Sequence, residues 1–183
     1  MISPRETYAR LARASSRGTL LTAFRRPLLV AIVLGVSMAK AATGHITPAL
    51  VASTTLCWSF VIVLQAAIGL GLMAGAARRT VGSARSLDLY FAGHAPWSLW
   101  ILAVAAWSPS PLGRPIWPLL IAGFVPLFLT ARTTNAFFRE VLGLDPRHAV
   151  MRTVAQQAIT WGCLVILYGT AVAWMPRVLE WVN

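Results

Sequence analysis

Acidic residues and cysteines are scarce in this sequence. Its 183 residues include five aspartates and glutamates and two cysteines. The acidic residues form no carboxylate pair at local spacing, so an autonomous hydrolase or phosphotransferase is not expected. Counting the helical rise puts Cys57 and Cys163 at different depths, so we expect no disulfide bond between them.

Short motifs that hold metals, nucleotides or cofactors are also missing. The sequence has no H-E-x-x-H, no C-x-x-C, no Walker A motif and no G-x-S-x-G. His45 and His148 are predicted at opposite faces of a membrane, which excludes a bis-histidine haem. We therefore expect no catalytic residues, no cofactor and no metal.

Charged residues are few, and apolar residues make up most of the sequence. Only 11% of residues are charged and 57% are hydrophobic, whereas a soluble domain averages about 25% charged residues. Residues 46–77, 89–113 and 153–176 contain no charge, and a helix needs about 20 apolar residues to cross a bilayer. The composition predicts an integral membrane protein.

The apolar stretches predict an all-α fold with a single polytopic transmembrane bundle over residues 19–183. Two further apolar stretches, the shorter residues 115–131 and residues 27–43, which Lys40 interrupts, bring the expected number of spans to five. The expected spans cover residues 27–43, 49–77, 87–107, 115–131 and 153–175. The first span also imitates a signal peptide with an A-x-A cleavage site at Ala39. We expect it to be retained, because cleavage would remove much of the basic N-terminal segment.

The formal net charge of +11 could suggest nucleic-acid binding, but its distribution favours membrane topology. With a cytoplasmic N-terminus and five spans, thirteen of the sixteen lysines and arginines fall on the inner side, as the positive-inside rule requires. The outer side carries only Lys40, Arg114 and Arg177. We expect no nucleic-acid partner.

Residues 1–18 are predicted to form a separate basic helix. Ser3 and Glu6 form a capping box around Pro4. Three arginines of that helix share one face, namely Arg10, Arg13 and Arg17. Such a helix either lies on anionic lipids of the membrane surface or is a solvated segment that sets topology.

A row of small residues marks one face of the second span. Ala67, Gly71 and Gly75 recur at four-residue spacing, which lets another helix approach closely. We expect this row to pack within the chain, with association into a homo-oligomer as the alternative.

Polar residues inside a bilayer are candidates for function because burying them is costly. Five such residues are the candidates here: Asp88, His94, Gln65, Gln156 and Gln157. Asp88 is expected to pair with Arg85 one turn earlier. His94 is interpreted as a neutral imidazole bonded to Gln65, a serine or the Ala92 carbonyl that Pro96 frees.

Three segments resemble bacterial members of the Yip1-domain family of five-span membrane proteins. They are SPRETY at 3–8, LYFAGHAP at 89–96, and LGLD at 142–145 followed by Ala149. The resemblance covers nearly the whole chain and implies a non-enzymatic role in organising partners or lipid, in the bacterial cytoplasmic membrane.

Two other functions stay open from the residues. A small transporter or channel component would use a polar path through Asp88, His94 and Gln65, and a cavity that reaches His94 would favour it. A membrane subunit of a larger enzyme complex would bring soluble partners with it.

Overall fold

The computed structural model describes residues 3–14, 19–43, 45–74, 81–107 and 117–182, and within them the chain is entirely helical. These residues form seven helices and no strand. The helices are α1 (Pro4–Arg13), α2 (Leu20–Thr43), α3 (Pro48–Met73), α4 (Ser83–Gly93), α5 (Ala95–Trp107), α6 (Trp117–Glu140) and α7 (Pro146–Val182). The predicted all-α class is confirmed.

Three of these helices are long and apolar enough to cross a membrane. The qualifying segments are Leu20–Lys40, Pro48–Met73 and Pro146–Leu167. A shorter apolar segment, Ala95–Val104, lies in α5. The three long segments overlap the first, second and fifth predicted spans, and Ala95–Val104 overlaps part of the third, with bounds that differ by several residues.

The start of α1 follows the predicted capping box, and Asp145 caps the start of α7. The Ser3 amide donates to the Glu6 carboxylate over 3.4 Å at the start of α1. Asp145 Oδ1 accepts from the amides of Arg147 and His148, at 3.0 and 3.1 Å, where α7 begins. These amides have no partner within their own helix, so the caps satisfy them. The end of α7 differs from the prediction, because the helix continues through Pro176 to Val182.

The predicted third span is interrupted. α4 ends at Gly93, His94 adopts a turn with φ −88° and ψ 1°, and α5 begins at Ala95. Pro96 has no amide hydrogen, so it cannot bond to the Ala92 carbonyl four residues earlier. The single helix expected over 87–107 is thus two helices that meet at His94.

Helix α1 packs into the bundle. The Tyr8 hydroxyl donates to the Leu89 carbonyl over 3.1 Å, and its ring meets Phe137 edge to face at 6.0 Å. Arg5 pairs with Glu140 at 2.7 Å. Burial raises the pKa of the Tyr8 hydroxyl, against the opposing charge of Arg26, which keeps this hydroxyl a hydrogen-bond donor.

This docking corrects the prediction that residues 1–18 form a separate element. The apolar face of α1 is occupied by the bundle and is not available to insert into a leaflet. Arg10 and Arg13 stay exposed, so contact of these charges with anionic lipid stays a prediction. Arg17 lies outside the described residues.

The predicted small-residue row is placed differently from expectation. Ala67 and Gly71 are exposed, and a Cβ added at Gly71 would meet no described atom within 4 Å. Gly71 therefore does not make the expected close contact with the described part of the chain, and Gly75 lies outside that part. The close approaches occur elsewhere: a Cβ at Gly69 would lie 2.7 Å from the Tyr90 ring, and one at Gly35 would collide with Thr55.

Candidate functional site

Five polar side chains from four parts of the fold meet inside the bundle. We call them the polar cluster: Gln65 on α3, Tyr90 on α4, His94 at the α4–α5 break, and Gln156 and Thr160 on α7. Tyr90 precedes His94 by four residues, and Gln156 precedes Thr160 by four, so each pair shares a helix face. The bundle brings the two faces together around Gln65.

Gln65 and Gln156 connect the members of the polar cluster. The Gln65 carbonyl oxygen accepts from the Tyr90 hydroxyl at 3.1 Å and from the Gln156 amide at 3.3 Å. The Gln65 amide in turn donates to Thr160 over 3.1 Å. Gln156 and Tyr90 are each 1% exposed, so these bonds replace water that both side chains have lost.

The His94 ring is held at both nitrogens. Nδ1 lies 3.0 Å from the Tyr90 carbonyl, and Nε2 lies 3.1 Å from the Gln156 amide nitrogen. A carbonyl only accepts and an amide NH₂ only donates. The contacts therefore define a neutral imidazole that donates from Nδ1 and accepts at Nε2.

This geometry corrects the expected partners of His94. The ring bonds to the Tyr90 carbonyl instead of the Ala92 carbonyl, and it is linked to Gln65 through Gln156. The Tyr90 carbonyl needs this donor because the His94 amide turns to Phe91 at the helix break. The neighbouring Gly93 carbonyl accepts from Thr133 of α6 at 2.6 Å. Side chains thus satisfy carbonyls that an unbroken helix would pair by itself.

Gln157 extends the network along α7. Its amide donates to Gln156 over 2.8 Å, and its oxygen accepts from the Trp161 indole at 3.2 Å. Trp161 meets Trp97 of α5 edge to face, with ring centroids 5.0 Å apart. Hydrogen bonds therefore join four of the five predicted intramembrane candidates, and only Asp88 lies outside this network.

Asp88 belongs to a neighbouring ionic group. It accepts from Arg85 at 2.6 Å, which is the predicted pair one helical turn apart, and lies 3.9 Å from Arg26 of α2. Two arginines face one carboxylate, so this group carries an excess of one positive charge. Arg26 is the more exposed of the two cations, at 61% of its side chain.

A cavity of about 330 Å³ opens beside the polar cluster. The boundary is mostly apolar and comes from helices α2 to α7. Of the polar cluster, Gln65, His94, Gln156 and Thr160 reach it. Arg26 lies on the same boundary and connects the cavity to the ionic group.

Thr130 of α6 also lines this cavity and was not singled out from the sequence. It is only 3% exposed, and its hydroxyl has no hydrogen-bond partner among the described residues. An unpaired buried hydroxyl costs about 1–3 kcal/mol. A molecule in the cavity that accepts from Thr130 would remove this cost.

Sequence reasoning also missed Tyr90, Thr160 and Arg26 as site residues. The four-residue spacing to His94 and to Gln156 was a usable signal for Tyr90 and Thr160. Arg26 was taken only as a topology determinant, because nothing local connects it with α4.

No family model, no curated protein and no solved structure matches the chain. The resemblance to the Yip1-domain family stays a prediction from the residues quoted for it. The polar cluster, the cavity and the ionic group are therefore the features of this chain that bear on its function.

Proposed function

We propose that the chain is an integral membrane protein that binds a small molecule inside its helical bundle, as a transporter or carrier component. The supporting observation is the cavity of about 330 Å³ that reaches His94, Gln65 and Gln156. Ligand pockets combine an apolar boundary with a few converging polar groups and begin at about 300 Å³. This cavity has both properties.

In this proposal, the ligand enters from the ionic group and moves into the bundle. Arg26 contacts Asp88 at one end and borders the cavity, and the polar cluster lies further inside. The polar cluster contains amides, hydroxyls and a neutral imidazole, which recognise a ligand by hydrogen bonds without supplying a nucleophile. A binding role fits this chemistry better than a catalytic one. The Yip1-like organising role and the enzyme-complex role stay predictions that these contacts do not favour.

Cysteine labelling tests whether the cavity is open to a ligand. Ser98 lines the cavity and is partly buried, so Ser98→Cys in a background without Cys57 and Cys163 should react with a small thiol reagent. Ala31→Phe adds a ring at a buried cavity residue and should slow that reaction. Ser86→Cys is the control, because Ser86 is buried away from the cavity. Equal protection at positions 86 and 98 would contradict the proposal.

We also propose that the protein crosses a bacterial cytoplasmic membrane five times with its N-terminus inside. The three apolar helices, the α4–α5 pair and α6 would supply the five spans, and the arginine distribution supports the orientation. Single cysteines at Ser16, Ser83 and Ser110, in a background without Cys57 and Cys163, test this with an impermeant thiol reagent on intact cells. Only position 110 should be labelled from outside. Labelling at 83 would overturn the orientation.

A further inference from the structure

The cavity is polar at one end and apolar at the other. The directions of α2, α3 and α7 show which residues lie at each end. α2 and α3 run antiparallel, because Thr54 donates to the Gly35 carbonyl at 2.8 Å while Arg26 and Gln65 border one cavity. α3 and α7 are also antiparallel, because Arg152 binds the Leu72 carbonyl and Thr160 binds Gln65. Arg26, Gln65 and Gln156 therefore lie toward the same end.

The opposite end of the cavity is made of hydrocarbon and aromatic side chains. Leu34, Trp58 and Leu164 line it. Leu34 follows Arg26 by eight residues and Leu164 follows Gln156 by eight, which corresponds to about 12 Å along a helix. A molecule that fills the cavity would place a polar group at one end and an apolar chain at the other.

The charge at the polar end favours an anion. Arg26 and Arg85 share the single carboxylate of Asp88, which leaves an excess of one positive charge in this group. A carboxylate carries one negative charge, whereas a phosphate monoester carries about 1.5 to 2 at neutral pH. The charge therefore matches a carboxylate, and the exposed Arg26 side chain has room to turn toward it.

Thr130 supplies an independent indication of an acceptor. Thr130 lines the cavity, and its buried hydroxyl has no partner in the described part of the chain. Hydrogen bonds to a charged acceptor are worth about 1.5–3 kcal/mol, so a carboxylate would use this donor well. A volume near the lower limit of ligand pockets accommodates one chain more readily than two.

We infer that the ligand of this cavity is a single-chain carboxylate amphiphile, that is, a fatty acid. Its carboxylate lies between Arg26 and Thr130, and its chain points toward Trp58 and Leu164. The inference depends on the proposed binding function and specifies its ligand class. A phosphorylated single chain is the competing ligand class, and an alkyl phosphate of equal chain length tests it.

Tryptophan quenching tests this inference directly. Trp58, Trp97 and Trp161 line the cavity, so a fatty acid brominated in mid-chain should quench the fluorescence of the purified full chain. The quenching should saturate and be competed by the unbrominated acid. The alcohol, the alkyl phosphate and the quaternary ammonium compound of equal chain length should compete at least tenfold less well.

Matched variants separate the polar end of the cavity from general effects. Arg26→Gln should weaken binding about tenfold or more, since it removes the ionic partner, whereas the exposed neighbour Arg25→Gln should leave it unchanged. Thr130→Val keeps the shape of the side chain and should weaken binding severalfold. Thr134→Val is its control. The Thr134 hydroxyl is also buried and has no partner among the described residues, but Thr134 does not line the cavity. All four variants should melt near the wild-type temperature.

The outcomes distinguish the ligand class from the proposed function. If the alcohol or the alkyl phosphate competes as well as the acid, or if Arg26→Gln and Arg25→Gln behave alike, the carboxylate assignment is wrong while the binding function stands. If no probe quenches saturably although the thiol of the Ser98→Cys variant is accessible, the fatty-acid inference is overturned alone. An inaccessible thiol in that variant would overturn both.

Discussion

The two halves of helix α6 have opposite surroundings. Between residues 121 and 129, Ile121, Phe124, Val125 and Phe128 are all at least 63% exposed. Between residues 134 and 138, Thr134, Ala136, Phe137 and Phe138 are at most 3% exposed. The first half presents apolar side chains outward, as a helix does when lipid is its neighbour, whereas the second half packs against α1 and α4.

This difference shows which half of α6 is covered by other side chains of the protein. Exposed apolar side chains are stable in hydrocarbon, because lipid replaces protein neighbours at little cost. The second half of α6 lies beside α1, where Arg5 pairs with Glu140. There the chain uses the aromatic rings of Tyr8, Tyr90 and Phe137, which meet edge to face.

Truncating one phenylalanine in each half should give the largest contrast. Phe137→Ala removes a ring that is 0% exposed, and such truncations cost about 3–5 kcal/mol. Phe124→Ala removes a ring that is 67% exposed and should change stability much less. Thermal melts of both variants in mild detergent check this. Equal destabilisation would mean that position 124 also packs against protein.

The glycines of α3 should show a similar contrast on a smaller scale. Gly69→Ala places a methyl group 2.7 Å from the Tyr90 ring, and overpacking of this kind costs about 1–3 kcal/mol. Gly71→Ala adds a methyl group that meets no described atom and should leave the melting temperature unchanged or slightly higher. A loss at Gly71 that depends on protein concentration would instead reveal self-association through the small-residue row.

The docking of α1 depends partly on one hydroxyl. Tyr8→Phe keeps the ring on Phe137 but loses the bond to the Leu89 carbonyl, a change worth about 0.5–1.5 kcal/mol. Faster hydrogen exchange in residues 4–13 should accompany the loss. Arg10→Gln is the control on the exposed face of the same helix. If Tyr8→Phe leaves exchange unaltered, the ring alone anchors α1.

The smallest effect is expected at the α7 cap, which lies outside the packed interior. The hydrogen bond from His148 lowers the pKa of Asp145, with further help from the backbone amides. A carboxyl with a lowered folded pKa stabilises the fold above its unfolded pKa, and this stabilisation is lost as pH falls through the folded value. The melting difference between wild type and Asp145→Asn should therefore shrink on acidification below the ordinary value of 3.8.

His148→Gln serves as the control for this titration. Without the imidazole, the pKa of Asp145 should move back toward its ordinary value, so acidification should remove less stability and the loss should end at higher pH. A melting profile that does not change between wild type and His148→Gln would show that the pairing does not affect folding.

Local interactions were predictable because both partners lie within one helical turn. The capping of α1 by Ser3 and Glu6, the capping of α7 by Asp145, and the pairing of Arg85 with Asp88 all have this character. A proline within an apolar segment indicates a possible helix break, but the sequence does not decide whether the break occurs. Pro27 and Pro126 lie within continuous helices, whereas the helix breaks at His94, two residues before Pro96.

Composition and charge by themselves determined the helical class, the apolar segments and the scarcity of groups for chemistry. Only the tertiary structure decided that α1 docks through Tyr8, that Gly69 and not Gly71 is closely packed, and that Gln156 joins His94 to Gln65. The physical reason is range. A cap or an ion pair within a turn follows from fixed helical spacing, whereas Gln65 and Gln156 are 91 residues apart, and only the packing of whole helices brings them together.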